Sequence, residues 1–184
     1  MAYSTIHRWV VKYAPQFETV FYRRKRPVWG SWRIDEIYMK VKGQWRYLYR
    51  AVDQTSQTIN FLLTEQRDRD ALLRFLTKAI RRHGVSATIT IDGSEANTSA
   101  IRGYNEAHGT SIAVHQVRYL NNLVEQDYHG VKCIIRPELG PKSFGAAQQT
   151  LVGIALMCML RKGQLEDGVE QGLATAEQFY LLAA

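Results

Sequence analysis

The stretch SWRIDEIYMKVKGQWRYLYRAVDQTSQTINFLLTE, residues 31–65, decides the fold. It divides into three strand-like runs, Ser31 to Lys42, Gln44 to Asp53 and Gln57 to Glu65. All three are rich in Ile, Val, Tyr, Trp and Leu, side chains that suit a pleated, half-buried surface. Gly43 and Gln54-Thr55-Ser56 interrupt them at the spacing of an antiparallel meander.

Downstream, the apolar positions Leu72, Leu73, Leu76, Ala79 and Ile80 predict a helix from about Asp68 to His83 that stops at Gly84. Ala87 to Asp92 reads as a short apolar strand running into the turn pair Asp92-Gly93. A helix over Thr98 to His108 follows, then a strand over Ser111 to His115 and two long helices, about Leu120 to Arg136 and Phe144 to Lys162. Upstream, Ile6, Trp9, Val10 and Tyr13 recur at helical spacing within residues 3–13, with Arg8 and Lys12 on another face. The basic run from Tyr22 to Pro27 reads as a linker ending at Gly30. Trp9, Trp29, Trp32 and Trp45 read as core or linker anchors rather than base-stacking platforms.

A strand reached through a crossover helix packs parallel to its predecessor with a right-handed connection, so the fourth and fifth strands extend the meander. The expected fold is α/β: a ribonuclease H-like mixed five-stranded sheet, three antiparallel strands plus two parallel, flanked by helices.

Composition agrees with a folded chain. At 184 residues, 46% apolar and with 4 prolines, it has the size of one ordinary domain and excludes a low-complexity polymer. The net charge of +7 is local. Residues 1–50 hold 11 basic and 3 acidic side chains, while the rest of the chain is nearly neutral. Such a field attracts polyanions. Cys133 and Cys158 are too far apart in sequence to suggest a disulfide framework or a zinc site, which fits a reducing, cytoplasmic setting. The longest apolar run, Leu151 to Leu160, is about half a bilayer span, so no membrane partner is expected.

Three carboxylates suggest chemistry. Asp35 lies in a strand expected to be buried, where an ionised carboxylate is costly unless paired or metal-bound. With the first and fourth strands parallel neighbours, Asp35 and Asp92 approach one another at the carboxyl edge of the sheet, and a cation between them would relieve their repulsion. Such oxygen donors suit Mg²⁺ or Mn²⁺. Glu125, on the helix from Leu120, is placed to add a third carboxylate. His129 and Lys132 share its helix face, where Lys132 could hold a phosphate. Two ions roughly 4 Å apart would activate a water or 3′-hydroxyl for in-line displacement at phosphorus. A lone strand Asp and an Asp-Gly turn are also ordinary structural features, as are Glu36, Asp53 and Asp127.

Residues 31–53, together with RYLNNLVEQD (118–127) and MLRKGQ (159–164), closely resemble bacterial transposases of the insertion sequence six family. The resemblance runs over nearly the whole chain. It implies a DDE triad on a ribonuclease H-like core that cleaves and joins DNA with divalent metal. Asp35, Asp92 and Glu125 fall on the triad, and Lys132 on the basic residue seven positions after the Glu. It divides the chain into residues 1–30, the end of an N-terminal DNA-binding region with its linker, and residues 31–184, the catalytic domain. Arg8, Lys12, Arg23, Arg24, Lys25 and Arg26 are then the expected DNA contacts, insertion-sequence ends and target DNA the partners, and a homo-oligomer the expected assembly. The chain departs from the family where Gly93, Tyr128, His129, Gly130, Cys133 and Pro141 stand, and it begins inside the final helix of the usual DNA-binding region. A second reading is therefore an N-terminally truncated, inactive remnant that binds DNA or co-assembles with a full-length transposase.

Overall fold

Strand β1 (Ser31–Val41) turns back into β2 (Gln44–Asp53) through two residues, Lys42 and Gly43, both at positive φ (52° and 76°). That geometry is the type I′ turn, whose twist matches that of the paired strands. The computed structural model describes residues 3–117 and 143–183. After β2, β3 (Thr58–Thr64) completes the meander, and α2 (Arg69–His83), β4 (Thr88–Ile91), α3 (Glu95–His108) and β5 (Ala113–Gln116) follow. The sheet order is β3-β2-β1-β4-β5, with β1 antiparallel to β2 and parallel to β4, and β4 parallel to β5. This is the expected ribonuclease H-like mixed sheet.

Local chemistry sets the helix ends. Asp68 caps α2 by accepting from Ala71 N at 2.7 Å, and Gly84 closes it by donating to Ile80 O at 2.8 Å. Ser94 caps α3, and Gly109 ends it in the left-handed region. The Ser94 cap starts α3 at Glu95, three residues before the sequence expectation. Trp32 and Ile34 of β1 and Ile89 and Ile91 of β4 form one core with Leu72, Phe75 and Leu76 of α2 and Ile101 of α3.

Close contacts divide the chain into two units. One holds the sheet, α2 and α3 and begins at Val28. The other gathers α1 (Tyr3–Arg23) with α4 (Phe144–Arg161), α5 (Glu166–Glu170) and α6 (Thr175–Leu181). The expected division at residue 30 had placed everything after it in the catalytic domain, whereas α4 packs on α1.

Helix α1 is longer than its periodicity suggested. It runs through Pro15, which lacks the N–H for an intrahelical bond and normally ends a helix. Packing on α4 overrides that preference: Ala14 is buried, and Gly153 lets the helices approach so closely that a Cβ there would stand 3.1 Å from Val10 Cγ1. Phe21 joins Leu156, Met159 and Leu182 in this unit's core. By length and composition α4 could cross a membrane, but Ala147, Leu151, Leu156 and Met159 are buried within the protein.

Three further expectations change. Trp32 is buried, but Trp9, Trp29 and Trp45 are exposed and anchor no core. Asp35 is half-buried, while Trp32 and Ile34 on the other face of β1 and Ile37 and Met39 on its own are buried. The basic run forms the last turn of α1 and an antiparallel bridge between Lys25 and Leu165, so it is no free linker. The long helix expected over 120–136 lies outside the described residues.

Candidate active site

Parallel pairing sets the first two carboxylates. The parallel pairing of β1 with β4 runs from Ser31 with Thr88 to Arg33 with Thr90, and Asp35 and Asp92 each lie two residues beyond that last pair. Strand β4 ends at Ile91, so beside Asp35 the β4 side of β1 lies open, and Asp92 stands at the first position beyond the strand. Asp35 Oδ1 accepts from the backbone N–H of Glu36 at 2.9 Å. The Asp92 side chain is 44% exposed and stands 3.8 Å from Arg67 Nη2. Glu125 and Lys132 lie outside the described residues.

Glu36 follows Asp35 and projects from the opposite face of β1. Only 5% exposed, it pairs with Arg67 Nε and accepts from Asn97 Nδ2. The Arg67 guanidinium therefore reaches both Glu36 and Asp92, and it also donates to the Tyr38 hydroxyl at 3.3 Å. Burial works against its charge, but Glu36, Tyr38 and Asp92 outweigh this and hold Arg67 above its ordinary pKa.

Tyr49 is the cross-strand partner of Glu36. It is fully buried, and its hydroxyl has no hydrogen-bond partner among the described residues. Burial first, and then the Glu36 charge, push its pKa above the usual phenol range. Tyr49, Arg67, Asp92, Ser94 and Asn97 line one cleft of about 650 Å³ at the start of α3. The sequence reading missed Arg67, which looks like an ordinary loop cation beside the Asp68 cap. A second acid next to Asp35, inside a strand, was the available signal that a buried cation had to be near.

Asp53, the other strand acid, is accounted for structurally. It is fully buried, and its carboxylate accepts from Trp29 N, Thr55 N, Thr55 Oγ1 and Gln57 N at 2.8–3.0 Å. Those bonds tie the β2–β3 turn to the segment entering β1.

Among the expected DNA contacts, Arg8, Lys12 and Arg23 lie on α1. Arg24 Nε donates to Asp167 at 2.7 Å and its Nη1 to the Leu181 carbonyl at 2.9 Å. Lys25 and Arg26 follow, with the Arg26 N–H bonded to the Gln164 carbonyl at 2.9 Å. This stretch is thus built into the helical unit, with Arg24 serving as an internal tie. Among the described residues no group of three or more His, Cys, Asp or Glu side chains is gathered to hold a metal ion.

Residues 29–164 match the family model of a DDE domain of the IS240 transposase type. The transposase for insertion sequence-like element IS431mec of Staphylococcus aureus is 34% identical over 161 residues, which is 87% of this chain and 70% of that protein. The chain belongs to the DDE transposases of the insertion sequence six family. The transposase for insertion sequence element IS257 in transposon Tn4003, also from Staphylococcus aureus, matches with the same identity and coverage.

Solved structures show the same fold at low identity. The HTLV-2 integrase catalytic core domain in complex with magnesium, in its dimeric form, superposes with a TM-score of 0.54 at 15% identity, over 77% of this chain and 91% of that one. A chain of the simian T-cell lymphotropic virus intasome gives 0.52 at 13% identity, over 72% of this chain and 50% of that one. For this DDE family member, the likeness establishes the ribonuclease H-like sheet, with Asp35 on β1 and Asp92 just past the end of β4.

Proposed function

We propose that this chain carries out metal-dependent DNA strand cleavage and strand transfer for an insertion sequence, with Asp35, Asp92 and Glu125 as its metal-binding carboxylates. The observation that supports the reading is that Asp35 and Asp92 each follow by two residues the last parallel pair of β1 and β4, with Asp92 just past the end of β4. The donor set fits a hard cation. Both groups offer carboxylate oxygens, Asp92 is half-exposed, and Arg67, 3.8 Å from it, is shared with Glu36.

Two Mg²⁺ or Mn²⁺ ions held there by Asp35, Asp92 and Glu125 would supply Lewis-acid activation of a water or 3′-hydroxyl attacking phosphorus. The chain's own residues do the rest. Asp35 and Asp92 hold the donor oxygens on a rigid sheet, so their spacing is set before substrate arrives. Glu125 completes the set, and Lys132 holds a phosphate oxygen and offsets charge that develops on it. Arg8, Lys12, Arg23, Arg24, Lys25 and Arg26 give the helical unit its attraction for DNA, whose partners are element ends and target DNA. A homo-oligomer acting in the cytoplasm completes the reading.

The test is cleavage and joining of element-end duplex by the purified chain with Mg²⁺ or Mn²⁺. Asp35→Asn, Asp92→Asn and Glu125→Gln should each abolish both steps while circular dichroism stays unchanged. Full activity in any one of the three removes that residue from the site.

A further inference from the structure

The sheet face that carries Glu36 and Tyr49 does not end with them. On it, even-numbered β1 residues stand beside odd-numbered β2 residues, and near α2 these rows are buried, as at Ile34 and Tyr49. Toward the hairpin turn the same rows become Tyr38, Lys40, Trp45 and Tyr47. Here the face is open: Tyr38 is 50% exposed and Trp45 57%.

The exposed side chains are organised. Tyr38 and Tyr47 are cross-strand partners with ring centroids 5.2 Å apart, and Tyr38 meets Trp45 edge-on at 6.5 Å. Lys40, opposite Trp45, places its Nζ 5.0 Å from the centre of that ring. At the other end Arg67 bonds the Tyr38 hydroxyl and stands beside Asp92. A strip of aromatic rings flanked by cations thus runs from the turn, where Lys42 is exposed, to the candidate active site.

Cross-strand aromatic pairs stabilise a hairpin, but that role does not require rings half open to solvent with a cation at each end. We propose that the strip seats an unpaired stretch of DNA strand, its bases stacking on Trp45 and Tyr38 and its phosphates met by Lys40, Lys42 and Arg67. Bases present a π-face whatever their identity, so such a surface is tolerant of sequence. Charge complementarity selects a polyanion, and Arg67, which bonds the Tyr38 hydroxyl and stands 3.8 Å from Asp92, joins one end of the strip to that carboxylate. The inference rests on the proposal that the chain acts on DNA.

The experiment is fluorescence anisotropy of the full chain with a labelled oligothymidylate and with a labelled duplex of equal length. Trp45→Ala and Tyr38→Ala should each weaken single-strand binding on the order of tenfold, and Trp45→Phe should restore most of it. Tyr180→Ala, which removes an exposed aromatic from the other unit, should change nothing. Duplex binding should be insensitive to Trp45. Lys40→Ala should reduce the slope of log affinity against log salt on single strands by about 0.7, which tests the strip even if an aromatic variant folds poorly. Wild-type single-strand affinity in Trp45→Ala, an unchanged salt slope in Lys40→Ala, or equal losses on single strand and duplex would each overturn the strip. If the unaltered chain binds neither DNA form, the DNA reading itself fails along with it.

Discussion

The guanidinium of Arg67 stands 3.8 Å from the carboxylate of Asp92. Its other partner, Glu36, is almost fully buried, so the contact beside Asp92 is anchored from within the fold. Removing Arg67 would leave the Glu36 charge buried without its cation.

Arg67→Ala should therefore destabilise the protein by about 1–3 kcal/mol, less than for a fully buried pair because the Arg67 side chain is partly exposed. In Glu36→Gln the same Arg67 substitution should cost clearly less, since no buried charge is then orphaned. Urea unfolding of the four proteins of this cycle measures the difference. Strict additivity would show that the pair is not coupled.

Tyr49 gives a prediction of opposite sign. Its buried hydroxyl has no hydrogen-bond partner among the described residues, so Tyr49→Phe should be neutral or stabilising by up to about 1 kcal/mol. The raised pKa sets the pH dependence. The folded state favours the neutral phenol, so this contribution is complete below the unfolded phenol pKa of about 10 and is lost as pH rises toward the folded value. Thermal melts between neutral pH and about pH 11 should show an alkaline decline that is shallower in Tyr49→Phe. A clear destabilisation at neutral pH would mean that the hydroxyl has a partner after all.

Asp53 behaves differently, because four donors converge on it. Asp53→Ala leaves the N–H groups of Trp29, Thr55 and Gln57 without their acceptor inside a fully buried site and should cost about 3 kcal/mol or more. Asp53→Asn keeps one acceptor oxygen but turns an amide donor toward another donor, and should cost about 1–2 kcal/mol. Chemical denaturation ranks the two, and a reversed order would contradict the bonding described.

Lys42 occupies a left-handed position that glycine and asparagine accept more readily. Lys42→Asn or Lys42→Gly should stabilise the hairpin by about 0.5–1 kcal/mol, raising the melting temperature by roughly 1–4 °C. Calorimetry showing a lower melting temperature for both variants would argue against the type I′ turn.

Much of this molecule is legible in its sequence, because the signals are local. Runs rich in Ile, Val, Tyr, Trp and Leu, interrupted at Gly43 and at Gln54-Thr55-Ser56, marked β1 to β3, and the 3.6-residue period marked α2. The crossover rule made β1 and β4 parallel neighbours, and Asp35 and Asp92 each lie two residues beyond their last pair. Other features have no local signature. The spacing of Ile6, Trp9, Val10 and Tyr13 marked only the first part of α1, which runs on through Pro15 where Gly153 packs closely against Val10 and Ala14. Trp45 and Trp32 look alike as strand tryptophans, yet one is exposed and the other buried, because α2 and α3 cover only part of the sheet face. The partners of Arg67 are separated from it by tens of residues in either direction. Sequence determined the order, direction and pairing of the elements, since these follow from periodicity and chain connectivity. Tertiary structure decided which charges meet and which rings face water, since burial and electrostatic pairing exist only once distant segments share a surface.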